Sequence, residues 1–388
     1  MLLKSLHLKN FLSFGPKSRP VELGKLNVLI GPNGSGKSNF MEALALLQAA
    51  PVKLTQPIRD GGGVSDWLWK APSERRATAP ASLEAVVSYA KGPRSLRHTI
   101  AFGESAGRFY LEDERIENDE PLVGQKQAFF FYHFNQGRPM LNVREEKRKL
   151  QREDVDLELS ILAQRRDPDS YPEITFLGLE LAKIRLFREW SFGRYNAPRL
   201  PQRTDVPSDF LESDGSNLGV VLSNFEPLAK RRLLQALRAL YEGIDDYQVR
   251  IDAGSAQVFL QEQDRQIPAT RLSDGTLRYL SLLAVLCHPT PPPLIGIEEP
   301  ELGLHPDVMP TLAELLHEAS ERTQLVVTTH SPILIDALSE TPECILVCER
   351  DADGTQLRRL DREQLEPWLE KFELGQLWTR GDLGGTRW

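Results

Sequence analysis

The chain opens on alternating apolar and polar positions in "LKSLHLKNFLSF", followed by the apolar run "KLNVLIG", and both patterns predict strands. A Gly-rich turn then leads into a helical pattern that runs through about Leu47. From about Ala81 to Ile116, short alternating runs separated by Gly turns ("SLEAVVSYA", "LRHTIAF", "GRFYLEDERIE") predict an antiparallel sheet. The next span, "REEKRKLQREDVD", carries charge without an apolar period, as a solvated surface does. Helical spacing dominates from about Tyr171 to Tyr241, in "ITFLGLELAKIRLFREW" and again in "GVVLSNFEPLAKRRLLQALRALY". After Leu272 a helix ("SDGTLRYLSLLAVLC"), an apolar strand ("PLIGIEE"), another helix and another strand ("QLVVTTH") alternate, which predicts a parallel sheet. Internal repeats and sustained heptads are lacking, so the pattern holds no coiled-coil arm.

Composition narrows the class. With 388 residues, 40% hydrophobic and 26% charged, the chain can bury the core of one large α/β domain or two ordinary ones. A formal net charge of -8 argues against coating nucleic acid by bulk electrostatics, so a DNA contact would have to be local. The N-terminus lacks a continuous apolar segment and a small-residue cleavage site, and no run approaches the roughly 18 apolar residues of a membrane span. A cytoplasmic protein with no membrane partner is expected. Cys287, Cys344 and Cys348 suit a reducing compartment, and "CILVC" reads as core packing because no neighbouring His or second Cys pair completes a metal site.

The chemistry begins at "GPNGSGKS", Gly31 to Ser38, which fits G-x-x-x-x-G-K-[ST] directly after an apolar strand and before a helix. Gly34 and Gly36 let backbone N–H groups reach phosphate oxygens, with Asn33, Ser35 and Asn39 flanking them, and the helix N-terminus adds a positive dipole end. Lys37 supplies charge to the β- and γ-phosphates, and the Ser38 hydroxyl is a ligand for Mg2+. Downstream, "LIGIEEPELGLHP" delivers Glu298 and Glu299 at the C-terminal end of a strand, where ligands of parallel sheets collect. Glu298 would hold Mg2+ through water, and Glu299 would polarise an attacking water. In "RLSDGTLRYLSLL", Ser273 fits an N-cap, Gly275 lies in the first turn, and Leu277, Leu280 and Leu283 to Ala284 form the buried face. This second anion-ready helix start suits use across a dimer, each copy completing the other's site. Finally "LVVTTHSP" places His330 at another strand end, where a neutral imidazole can hydrogen-bond a γ-phosphate or the lytic water.

In this order the motifs form the signature of ABC-class ATPases, and nearly the whole chain resembles the soluble branch that contains SMC, RecF and the ATPase half of the OLD nucleases. "LHLKNFLSF" resembles that branch's opening strand, and "DGSNLGVVL", Asp214 to Leu222, resembles a motif of its helical lobe. The resemblance implies an α/β fold: a split ABC-ATPase head with a mixed or parallel core sheet, an antiparallel β-subdomain and a helical lobe. Residues 1–50 would form the N-terminal part of the nucleotide-binding lobe, 51–155 the β-subdomain and a charged linker, 156–271 the helical lobe, and 272–388 the remaining motifs and C-terminal strands. It further implies ATP and Mg2+ as cofactors, with Lys37 and Ser38 in Walker A, Glu298 and Glu299 as Walker B and catalytic acid. Ser273 and Gly275 would contact the γ-phosphate of the other subunit, Glu301 to His305 fall at the dimer-spanning D-loop, and His330 matches the switch histidine. A Gln sensing Mg2+ and the γ-phosphate belongs to the same family; Gln164 in "LELSILAQRRDP" fits, with Gln136 in "FNQGRP" as the alternative.

The departures are informative. Asp274 stands where transporters have a second Gly, and Glu298 where Asp is commoner; both variants resemble the OLD-type branch and weaken a reading as a transporter motor subunit. The acids Glu349, Asp351 and Asp353 in "ILVCERDADGTQ" invite comparison with an appended nuclease domain, but only about 35 residues follow them and "DADG" reads as a hairpin turn. The expectation is an ATPase that dimerises around two ATP-Mg and acts as a switch on a protein effector such as a nuclease or toxin, in anti-phage defence or DNA repair. The alternative is a RecF-type repair protein that clamps duplex DNA, with Arg144 to Arg152 and Lys230 to Arg232 as contacts.

Overall fold

The structure, a computed structural model, describes residues 1–70, 79–135, 138–142, 150–152, 156 and 158–384. The chain divides into two compact units: Met1–Ile184 with Leu346–Leu360, and Arg185–Ile345 with Asp361–Leu383.

The first unit follows the alternation of its sequence. Strands β1 (Leu3–Lys9) and β2 (Val21–Glu22) pair antiparallel, and β3 (Leu26–Ile30) is buried at every position, as its unbroken apolar run requires. Helix α1 (Lys37–Lys53) buries Phe40, Leu44 and Leu47 and is followed by the short α2 (Thr55–Asp60) and α3 (Val64–Trp67). Strands β4 (Ala81–Val87), β5 (Leu96–Ser105), β6 (Arg108–Asn118), β7 (Phe130–Asn135), β8 (Arg138–Asn142) and β9 (Leu150–Arg152) continue the sheet. Its order is β2-β1-β4-β5-β6-β7-β8-β9, with all pairs antiparallel, so the subdomain expected around Ala81 to Ile116 extends by three further strands, β7 to β9. Helix α4 (Ile161–Gln164) and the apolar α5 (Pro172–Ala182) close the segment, and α5 packs on α1.

Residues 156–271, expected as a helical lobe, hold strands as well as helices. Strand β10 (Arg185–Phe187) interrupts the helical reading of "ITFLGLELAKIRLFREW", because Leu186 and Phe187 extend beside a distant strand instead of completing a turn of helix. Strand β11 (Gln202–Arg203) precedes α6 (Leu218–Ser223) and α7 (Pro227–Leu240), which are separate helices because Pro227, with no backbone N–H to donate, starts a new one at its first turn. A small antiparallel sheet follows, with β12 (Asp246–Asp252) on one side of β13 (Ser255–Glu262) and β11 and β14 (Arg265–Pro268) on the other.

Helix α8 (Asp274–Leu286) is buried at every residue from Tyr279 to Leu286, a fuller burial than the single face read from its spacing. Strand β15 (Leu294–Glu298), α9 (Met309–Ser320), β16 (Gln324–Thr328) and α10 (Pro332–Asp336) then complete the α/β alternation. Strands β10, β15 and β16 are parallel, with Leu186 opposite Gly296 and Glu298 opposite Thr328. Returning to the first unit, β17 (Ile345–Asp351) and β18 (Gly354–Arg359) form an antiparallel hairpin in which Asp351 faces Gly354. Helices α11 (Arg362–Leu369) and α12 (Leu374–Thr379) belong to the second unit.

The hairpin turn read from "DADG" is present, and Asp353 pairs with Lys17 at 3.1 Å. All three cysteines are buried and unpaired with one another. No described helix is long and apolar enough to cross a membrane.

Candidate functional site: a phosphate cradle and an acidic strand end

In the first unit, the turn between β3 and α1 runs through Gly31, Gly34 and Gly36 at φ of 148, 79 and 111°, a left-handed path that only glycine follows without strain. It delivers the chain to the N-terminus of a 17-residue helix, whose first N–H groups have no helical partner. Lys37 is buried, and its Nζ donates to the carbonyl oxygens of Gly31 at 2.7 Å and Pro32 at 3.2 Å, which ties the loop into a ring. Ser35 Oγ is buried there without a hydrogen-bond partner, while Asn33, Gly34 and Ser38 face solvent. Exposed backbone donors, a lysine ammonium and a serine hydroxyl at a helix start make a donor set that fits a polyphosphate and its Mg2+.

Two residues supporting this cradle escaped sequence reasoning. Thr355, from the β17–β18 hairpin, donates its hydroxyl to Ser35 O at 2.8 Å and sits 2.8 Å from Ser13 Oγ. Asn39 donates to the same Ser13 Oγ at 2.7 Å. Ser13 lies inside the "LHLKNFLSF" segment, so its motif was visible, whereas nothing near Thr355 in sequence marks it.

Gln164 is the last residue of α4. Its amide nitrogen donates to Leu159 O at 3.0 Å and Asp156 O at 3.2 Å, and its carbonyl accepts from Asp156 N at 2.9 Å. The side chain therefore braces the loop before its own helix, and would have to leave those bonds to reach a metal. The alternative, Gln136, lies outside the described residues.

In the second unit the acids gather at the end of β15. Glu298 Oε1 accepts from Arg188 Nε at 3.0 Å, a partner that sequence reasoning missed. Glu299 has a left-handed backbone at φ 45°, unusual for a residue with a side chain, and its N–H donates to Thr328 O at 2.9 Å. This turn aims its carboxylate at His330, with Nε2 3.6 Å from Glu299 Oε1. Glu301 Oε1 accepts from the Thr329 hydroxyl at 2.6 Å and the His330 N–H at 2.8 Å, so it anchors the backbone that carries the histidine. Burial pushes the Glu301 carboxyl above its ordinary range; those two hydrogen bonds oppose the shift.

The start of α8 belongs to the same unit. Ser273 Oγ accepts from Thr276 N at 3.0 Å and so caps the helix. Arg199, almost fully buried, holds the approach: Nε donates to Phe192 O at 2.6 Å, and other guanidinium nitrogens donate to Leu272 O and to the Asp274 carboxylate. The Asp that departs from the transporter signature thus has a partner within its own chain. Arg278, one turn further, is lowered from the usual arginine range by burial, against the opposing charges of Glu301, Asp274 and Glu299.

Lys230 pairs with Asp246 at 2.8 Å and Arg232 with Glu318 at 2.8 Å, so these basic residues are engaged inside their unit. Most of the Arg144 to Arg152 stretch lies outside the described residues. Among the described residues no cluster of three or more His, Cys, Asp or Glu side chains forms a metal cage.

Solved structures share this fold. The SMC head bound to the C-winged helix domain of ScpA superposes with a TM-score of 0.62 at 15% identity, covering 94% of this chain and 99% of that one. The Pyrococcus furiosus Smc head with an extended coiled coil, bound to the C-terminal domain of ScpA, gives 0.58 at 13% identity over 96% and 99%. The Pyrococcus yayanosii Smc head with a coiled coil and joint gives 0.55 at 10% identity over 96% and 99%. At such identities the likeness establishes the α/β head fold. A family described as "AAA domain, putative AbiEii toxin, Type IV TA system" matches residues 26–336, more than half of the chain, and the chain belongs to that family.

Proposed function

We propose that the protein binds ATP with Mg2+ and hydrolyses it slowly, two copies closing around two nucleotides and parting after hydrolysis. The observation that carries this reading is Glu299, held at φ 45° at a strand end with its carboxylate 3.6 Å from His330 Nε2. A carboxylate and an imidazole side by side at this distance can both face one water beyond the pair, the imidazole orienting it and the carboxylate taking its proton. Lys37, Asn33 to Ser35 and the first N–H groups of α1 bind the phosphates; Ser38 and Glu298 hold the metal side, with Gln164 joining if it leaves its loop. Mg2+, when bound, neutralises phosphate charge and polarises the transferred group. Ser273 and Gly275 present a helix start to the γ-phosphate held by the other copy.

The output falls on a protein effector. The ScpA-bound SMC heads carry partner domains, and the family description names a toxin system; both support a switch acting on a second protein. A nuclease or toxin controlled in anti-phage defence or DNA repair fits this role, in the cytoplasm.

The test compares ATP binding and hydrolysis in the wild type, Lys37→Ala and Glu299→Gln. Slow turnover in the wild type, binding without turnover in Glu299→Gln and weak binding in Lys37→Ala are expected. Wild-type turnover in Glu299→Gln would refute the role given to this acid.

A further inference from the structure

Three carboxylates, Glu298, Glu299 and Glu301, lie at or just after the end of β15, and each has a different partner. Glu301 is spent on Thr329 and His330, and Glu299 faces His330. Glu298 is paired with a permanent cation. The pairing is set by register: Leu186 lies opposite Gly296 and Phe187 opposite Ile297 in the parallel β10–β15 pair, which brings Arg188 beside Glu298. Nε to Oε1 is 3.0 Å, and the two side chains are only 26% and 18% exposed. A guanidinium is charged at every working pH, so this counter-ion cannot be removed by titration.

We propose that Arg188 is an intramolecular competitor of the divalent cation for Glu298, and so sets the Mg2+ concentration at which the nucleotide site becomes loaded. The inference rests on the ATP-Mg reading given above. A cation fixed 3.0 Å from a half-buried carboxylate repels a second cation and occupies one of the lone-pair directions that a metal-bound water would use. Metal entry must therefore displace or reorient Arg188.

The test is metal-dependent nucleotide binding by the full chain, read by calorimetry in EDTA and then across a Mn2+ series, for the wild type, Arg188→Lys and Arg188→Gln. Half-saturation by Mn2+ is expected at about 3- to 5-fold lower concentration in Arg188→Gln, the effect of losing one partly exposed ion pair. Arg188→Lys, which keeps the charge, is expected within about twofold of wild type. Nucleotide affinity in EDTA should be equal in all three. In a Glu298→Gln background the Arg188→Gln effect should vanish, an outcome that a merely structural arginine would not produce. An unchanged or higher Mn2+ requirement in Arg188→Gln, with nucleotide still bound, overturns the competitor role alone. Absence of nucleotide binding in the folded wild type overturns the ATP-Mg reading and the inference with it.

Discussion

A Cβ built on Gly275 would stand 2.6 Å from the carbonyl oxygen of Gly303, so the start of α8 and the turn after the acidic strand end touch backbone to backbone. Contact this close leaves no room for any side chain, and it explains the glycine without reference to a phosphate. Gly275→Ala is expected to cost about 1–3 kcal/mol in chemical denaturation, as overpacking does. Wild-type stability would show that the turn yields freely.

The Thr355 hydroxyl bonded to Ser35 O links the β17–β18 hairpin to the cradle. Thr355→Val keeps the shape and deletes the bond, leaving Ser35 O without this donor. A loss of about 1–2 kcal/mol is expected in denaturant titration, with weakened nucleotide binding in calorimetry. Unchanged affinity would mean that the cradle keeps its form without the hairpin.

The left-handed backbone of Glu299 separates stability from activity. Glu299→Gly relieves the strain and Glu299→Gln retains it, so the glycine variant should unfold at higher denaturant, by about 1 kcal/mol, although both lack the carboxylate. Equal stabilities would show that the turn carries no strain.

Glu301 gives the protein a pH signature. Its native carboxyl is raised by burial from the ordinary 4.5, so the folded state holds this proton more tightly than the unfolded state does. Its contribution is complete below pH 4.5 and is lost as pH rises through the elevated native value. Glu301→Gln, which can still accept from Thr329 and His330, should therefore gain stability relative to wild type as pH rises from 4.5 towards 7. A stability difference independent of pH in that window would contradict the assignment.

What could be read from sequence was local. The cradle is a contiguous glycine pattern between a strand and a helix, and the β4 to β6 strands announce themselves by alternation. Ser273 as a cap needs only its own helix. The features that escaped are long-range partnerships: Arg188 with Glu298, Arg199 with Asp274, and Thr355 with Ser35. No window of sequence contains both members. Strand β10 was hidden for a related reason. Its Leu186 and Phe187 continue the apolar spacing of α5, and only the parallel pairing with Gly296 and Ile297 makes them extended. The β12–β14 sheet alternates visibly in "YQVRID" and "SAQVFLQE", but the helical pattern before it led to a single helical assignment for the whole lobe.

The most direct test of two copies closing around ATP is molecular mass in solution with ATP and Mg2+, for Glu299→Gln alone and combined with Ser273→Arg. Ser273 stands exposed at the start of α8, where an arginine would block an approaching nucleotide without entering the core. A dimer trapped by ATP in the single variant, and a monomer under the same conditions in the double variant, is expected. A mass that responds neither to ATP nor to Ser273→Arg would contradict the nucleotide sandwich.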